Sequence, residues 1–294
     1  QLVRINGDGS LTGLGLPGGM VSGTWNVGDF DDAGQLWMMN SNVSPSPWVH
    51  IDLAPGSSFG TVIASGTTTR PDGLASTNDW AFTNGAFYGV APTSDHTGSA
   101  HLVRFSGGSG QLVDEGAVAG VPSSTAEGNA GYGATYVDAS GYLYASNNTT
   151  GAIYRVNVST NKAILVTADG PPSSNNDGAR CASAPIPTIT VTKSVDGRAS
   201  TDDQFTVGLQ SADGDVLTSA TTSGSDTSVS TPDWPVSPNT DYTITDATTD
   251  TSPNRINAYD ATIGCQTVAG DDVPVTGDGP WTITSSDIDA ITCE

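Results

Sequence analysis

Short alternations of apolar and polar residues run along the whole chain, and no segment keeps a helical period. A strand ending in an aromatic pair, GQLWMM (34–39), GAFYGV (85–90) or GYLYAS (141–146), is followed each time by a strand centred on a basic residue. Those second strands are WVHIDL (48–53), HLVRF (101–105) and AIYRVNV (152–158). The markers Leu36-Trp37, Phe87-Tyr88 and Leu143-Tyr144 lie 51 and 56 residues apart (36 to 87, 87 to 143). A recurrence near this period, built only of short strands, predicts the blades of a β-propeller.

Each unit reads as two hairpins. The first halves, 23–39, 76–90 and 129–146, are strand, Asx/Gly turn, strand; the second halves follow at 48–64, 101–118 and 152–167. Residues 1–16 match a second half that has no first half before it, and NNDGARC (175–181) opens a fourth unit that stops early. Arg4, His50, Arg104 and Arg155 recur in one strand of the unit, where alternate side chains face a neighbouring blade or the outside. They are expected to be paired, at the surface or between blades. Three full patterns with a half at each end make about four blade-equivalents, and most propellers close with more. The N-terminal domain, 1–184, is therefore expected to be a partial propeller, incomplete at its N-terminus, with its exposed edge there covered by another segment.

After the Pro-rich stretch ASAPIP (182–187) the pattern changes. Strands are predicted at 187–195, 203–210, 214–223, 226–231, 241–249, 259–266, 280–286 and 289–294, the spacing of one small immunoglobulin-like β-sandwich over 187–294. The fold class is all-β throughout.

Composition narrows the function. The 294 residues include 36 Gly and 17 Pro, and 31 acidic against 9 basic side chains give a net charge of −22. That balance argues against nucleic acid or an anionic membrane as partner, because both need basic patches. No apolar stretch of about 20 residues is present, so this segment inserts no helix in a bilayer. The recurring aromatic and β-branched strands set aside a disordered low-complexity chain. No signal peptide is recognisable within these residues; the chain begins mid-pattern, so one upstream would lie outside them. The three cysteines, Cys181, Cys265 and Cys293, form no C-x-x-C, and His50, His96 and His101 lie far off, so no zinc site is expected. Cys265 and Cys293 sit in strand-like segments of one region and are expected to pair. Cys181 is left unpaired or paired outside this sequence.

Two resemblances rest on particular residues. GTWNVGDFDDAGQLW, NDWAFTNGAFYGV, YGATYVDASGYLYASNNTTGAIYRVN and SSNNDGARC, in that order, resemble an uncharacterised propeller-like domain of secreted actinobacterial proteins over 1–184. ITVTKSVDGRASTDDQFTV, YTITDATTD, YDATIGCQ and DAITCE resemble the prealbumin-like domains of pilin-type surface proteins of Gram-positive bacteria over 187–294. The second resemblance implies an extracellular, cell-wall-associated or secreted protein, with Cys265–Cys293 bridging two strands. Such domains usually continue past the last Cys with strand residues ending in Asn, whereas here the last residue is Glu294.

Some pilin domains form an internal Lys–Asn isopeptide bond beside a buried acid that burial keeps protonated. Lys193 lies on the first strand of the second domain and Asp246 follows the YTIT strand where such an acid sits, but no Asn occupies the last strands. The bond is not expected to form in the usual way within this sequence. Asp29, Asp31 and Asp32 place three carboxylates ahead of Gly34 and are the candidate metal ligands, with Ca²⁺ the cofactor they would suit; an Asx-type hairpin turn is the preferred reading. Asp177 and Arg180 are expected to pair and order a loop. Trp25, Trp37, Trp48 and Trp80 are read as packing between blades rather than as a glycan platform. Sequons at Asn42, Asn147, Asn148 and Asn157 carry little weight in a bacterial source.

No catalytic constellation is recognisable: there is no G-x-S-x-G and no local Ser/His/Asp set. The expected function is therefore a non-enzymatic structural or adhesive protein of the cell surface, a subunit of a filament or surface assembly. Its partners would be other copies of itself, other surface proteins, or host or matrix glycans. The alternative is an enzyme or glycan-binding module using a propeller's central channel.

Overall fold

Each repeat folds into one antiparallel four-stranded meander in the computed structural model, which describes residues 2–15, 23–54, 59–168, 170–174, 176–179, 186–286 and 289–294. A hairpin of β1 (Leu2–Ile5) and β2 (Leu11–Gly15) comes first. The first meander is β3 (Val27–Phe30), β4 (Leu36–Met39), β5 (Ser46–Asp52) and β6 (Thr61–Thr68). The second is β7 (Ala81–Thr83), β8 (Ala86–Ala91), β9 (Ser99–Ser106) and β10 (Gln111–Pro122). After the two-residue pair β11 (Ser124–Thr125) and β12 (Gly128–Asn129) comes the third: β13 (Tyr132–Val137), β14 (Leu143–Asn147), β15 (Ile153–Asn157) and β16 (Lys162–Thr167). A parallel bridge between Ala119 and Lys162 joins the second and third meanders into one eight-stranded sheet.

The turns explain the registers. In the first and third units a carboxylate closes the opening hairpin. Asp31 Oδ1 accepts from the Ala33 and Gln35 amides, and Asp138 Oδ1 from those of Ser140 and Tyr142. The second unit uses Asn84-Gly85 instead, both at positive φ (50° and 76°), the conformation a two-residue hairpin turn demands. Every unit then places its aromatic directly across from its basic residue: Trp37 opposite His50, Tyr88 opposite Arg104, Tyr144 opposite Arg155.

The basic residues are paired, as expected, and the partners seen among the described residues lie in the same unit. His50 stacks on Trp37 with ring centroids 3.9 Å apart. Arg104 holds Glu115 of β10 at 2.5 Å. Arg155 is buried, 3.3 Å from Asp138 and with its guanidinium 3.7 Å from the centre of the Tyr142 ring.

Aromatic side chains fill the space between the first two units. Trp37 and Trp48 pack with Trp80, Phe87 and Phe105 of the second, Trp80 and Phe105 lying 4.9 Å apart. Gly107 lets the β9–β10 turn sit on this cluster: a Cβ there would be 2.5 Å from the Trp37 ring. A second core, including Leu102, Tyr132, Leu143 and Val156, joins the second and third units.

The chain separates into two compact units, Gln1–Ala184 and Pro185–Glu294. The second is a two-sheet sandwich. In chain order its strands are β17 (Thr188–Ser194), β18 (Phe205–Gln210), β19 (Val216–Thr221), β20 (Ser228–Ser230), β21 (Trp234–Pro235), β22 (Asp241–Thr248), β23 (Cys265–Thr267), β24 (Asp272–Val273), β25 (Val275–Thr276), β26 (Trp281–Thr284) and β27 (Ala290–Cys293). One sheet runs β20-β17-β27-β23-β24 with β21 also on β17; the other runs β19-β18-β22-β26-β25. Ile189, Leu209, Ile244 and Ile283 fill the space between them.

One feature departs from the sequence expectation, and one was not addressed by it. The strand predicted over 259–266 forms only from Cys265; a 3-10 turn occupies Ile256–Ala258, and Tyr259 turns to donate its hydroxyl to Asp203. Polar anchoring of Asn254 and Tyr259 on one carboxylate replaces strand pairing there. The first and last strands, β17 and β27, pair in parallel from Thr188–Ala290 to Val191–Cys293. Among the described residues no helix is long and apolar enough to cross a membrane.

Candidate functional site

Lys193 and Asp246 meet although they lie on different sheets. Strand β17 alternates buried Ile189 and Val191 toward the core, and the next residue of that phase is Lys193. Its ammonium reaches across to β22, where Nζ stands 2.5 Å from Asp246 Oδ2 and 5.4 Å from the centre of the Phe205 ring. The Asp246 side chain is only 5% exposed, and its Oδ1 has no hydrogen-bond partner. Beside the pair a half-open groove of about 620 Å³ runs between the sheets, with Ile263, Gly264, Trp281 and Glu294 on its walls. The structure thus brings together both residues that the pilin resemblance singled out. Strands β26 and β27, WTIT and AITC, supply no Asn.

The disulfide lies next to this centre. Cys265 and Cys293 face each other across β23 and β27 and are bonded, with Cα atoms 4.0 Å apart, and both are buried. The staple fixes the last strand of the sandwich to its neighbour. Cys181 and Arg180 lie outside the described residues.

The three aspartates of the first opening hairpin go to different tasks. Asp31 closes the turn and also accepts from Trp37 Nε1 at 2.9 Å. Asp29 accepts the amide of Phe82, in the next unit, at 2.7 Å. Asp32 is exposed. Among the described residues no group of three His, Cys, Asp or Glu side chains converges as a metal-binding set. The four tryptophans pack: Trp37, Trp48 and Trp80 in the aromatic core, Trp25 against the Leu36, Val49 and Ile51 cluster.

Two carboxylates escaped the sequence reading. Asp79 is fully buried, with Oδ1 on its own Trp80 amide and Oδ2 on the Thr135 amide of the third unit. Burial raises its pKa to about 8, and the nearby Asp177 charge adds to the rise. Burial, with Asp177 again contributing, also raises that of Asp29. Asp29 and Asp79 therefore link successive units through backbone amides. A signal was present: Asn78-Asp79 recurs as Asn176-Asp177. The other is Asp203, also fully buried, which accepts from Tyr259, from both nitrogens of Asn254 and from the Ser200 amide. Burial alone would raise its pKa, but these donors outweigh it and bring the value down to about 2.

A family profile described as a repeat of unknown function (DUF6923) matches residues 1–183. The chain belongs to that family. A second profile, of a SpaA-type prealbumin-like fold domain, matches residues 188–294. The two resemblances read from the sequence, and the all-β class of both parts, hold. No curated protein matches the chain. Among solved structures it is similar to a catalytically inactive virginiamycin B lyase from Staphylococcus aureus bound to quinupristin: 11% identity, 61% of this chain and 53% of that one, TM-score 0.35. It is also similar to a glycoside hydrolase family 43 arabinoxylan arabinofuranohydrolase from Bacillus subtilis in complex with cellotetraose: 10% identity, 88% and 62% coverage, TM-score 0.28. The chain spans about half the length of the lyase.

Proposed function

We propose that the chain is a non-enzymatic structural module of a pilin-type cell-surface protein, in which a tension-bearing stalk domain follows a propeller-like domain that contacts neighbours. The observation that carries this reading is the parallel pairing of β17 with β27. Strand β17 is the first of the C-terminal unit and β27 the last. Tension between the two ends therefore loads all the β17–β27 hydrogen bonds in shear rather than peeling them one by one. The disulfide passes the load from β27 to β23, and Lys193–Asp246 ties the loaded sheet to the opposite one. Partners of this module are other copies of the chain or other surface proteins. An antibody against the chain should label intact cells of its source and decorate surface filaments or fibres in electron micrographs. Labelling only after lysis contradicts the proposal.

A second reading is favoured by the unpartnered Asp246 Oδ1 beside an open groove. A strand carrying a carboxamide could enter there. The Lys193 amine would then attack the amide carbon, forming a C–N bond as the carboxamide nitrogen leaves with the protons as ammonium. Intact mass reports this directly, as a product weighing the chain plus the strand less one ammonia, which Lys193→Ala abolishes. An unchanged mass with every candidate strand leaves Lys193–Asp246 as an ion pair.

A further inference from the structure

A second groove, of about 540 Å³, lies on the C-terminal unit and shares Asp246 and Trp281 with the first. Its other walls come from the 3-10 turn Ile256–Ala258, from Tyr259 just after it, and from the loop 278–280 ahead of β26. Each of these segments is flanked on both sides by described residues of the same unit. The volume falls within the roughly 300–1,000 Å³ of small-molecule clefts.

Both aromatic walls are fixed from behind. Tyr259 donates its hydroxyl to the buried Asp203, and its ring stands edge-on to Phe205 with centroids 4.9 Å apart. Trp281 pairs with Ile244 of β22 and packs on the sandwich core while remaining only partly buried. Gly279, at φ +91°, brings the loop close to the indole: a Cβ there would be 3.4 Å from the ring. The polar groups differ in what they have left to offer. Asp246 already neutralises Lys193 through Oδ2, so it has no charge to spare for a second cation, while its Oδ1 has no hydrogen-bond partner. Asn257 and Asp278 are both exposed, and neither side chain has a hydrogen bond or ion pair among the described residues. A carboxamide offers donors and an acceptor, and a carboxylate offers acceptors alone.

We propose that this groove binds a neutral pyranose unit of a glycan, with an apolar C–H face of the sugar on the aromatic walls and its hydroxyls held by Asn257 and Asp278. A pyranose matches the set on both counts. Its ring presents C–H bonds to Trp281 and Tyr259, which are rigid and carry most of the contact area. Its neighbouring hydroxyls each donate and accept, as the carboxamide and carboxylate together require. The site is independent of the tension-bearing role proposed above, and its test reads neither force nor cross-linking.

The test is NMR of the ¹⁵N-labelled full chain while soluble trisaccharides of mannose, galactose, glucose and N-acetylglucosamine are added separately, each to about 10 mM. At least one should shift the Trp281 indole and the Gly279 amide together along a saturating curve. The double variant Asn257→Ala/Asp278→Ala, changed only at exposed positions, should raise the midpoint by on the order of tenfold, about 1.4 kcal/mol. Its C-terminal melting transition should stay where it is, which separates lost binding from lost fold. No movement of the Trp281 indole with any of the sugars overturns the proposal, as does a midpoint unchanged in the double variant. Tetramethylammonium is the cation control. If it moves the same signals at lower concentration than every sugar, the groove is a cation site and the proposal falls.

Discussion

Two buried aspartates show how differently one residue type can be used. Asp79 and Asp203 are both 0% exposed. Asp79 has two backbone amides and a like charge nearby, so burial dominates and its pKa rises to about 8. Asp203 has four donors around it, and its pKa falls to about 2. The consequences for stability have opposite sign. Between an unfolded pKa of about 4 and its folded value, Asp79 binds more proton in the native state. Its contribution is full at acid pH and is lost as pH rises toward 8. Asp203 contributes above about pH 4 and loses that contribution as pH falls through 2. The melting temperature of the N-terminal transition, followed by calorimetry, should therefore differ in its pH slope between pH 4 and 8 for the wild type and Asp79→Asn, the variant being flatter. Asp203→Asn should flatten the acid limb of the C-terminal transition instead. The same scale holds a steric prediction: Gly107→Ala puts a methyl against Trp37 and should cost about 1–3 kcal/mol in chemical denaturation.

At the scale of elements, the staple and the sandwich core set the expectations. Cys265 and Cys293 are 28 residues apart, and closing a loop of that size contributes about 3.5 kcal/mol in the chain-entropy account. Cys293→Ser should lower the C-terminal transition by that order and leave the N-terminal one unmoved. Much of this level was legible in advance. The repeat of aromatic and basic strands marked all three meanders because period-two alternation and Asx/Gly turns are local signals. The pairing of Lys193 with Asp246 was open to reading only through resemblance, since 53 residues separate them. What stayed hidden was non-local: the parallel β17–β27 pair, and the capture of Asn254 and Tyr259 by Asp203, which replaced part of a predicted strand. Asp79 was hidden for another reason. An aspartate beside a tryptophan reads as a turn, and only the fold shows that its acceptor oxygens reach an amide of the next unit.

At the scale of the whole molecule, the two units have different mechanical designs. The N-terminal unit is a row of meanders joined by side-chain cores, two Asp-to-amide links and one short bridge. The C-terminal unit ties its first strand to its last and staples the last to a third. Single-molecule force spectroscopy on the full chain held by its two ends separates these designs. The C-terminal unit should yield after the N-terminal one. Its extension should grow when the disulfide is reduced, by the 28 residues the bond conceals, or about 100 Å at about 3.5 Å per residue. A C-terminal unit that opens first, at lower force than the row of meanders, would contradict a tension-bearing role.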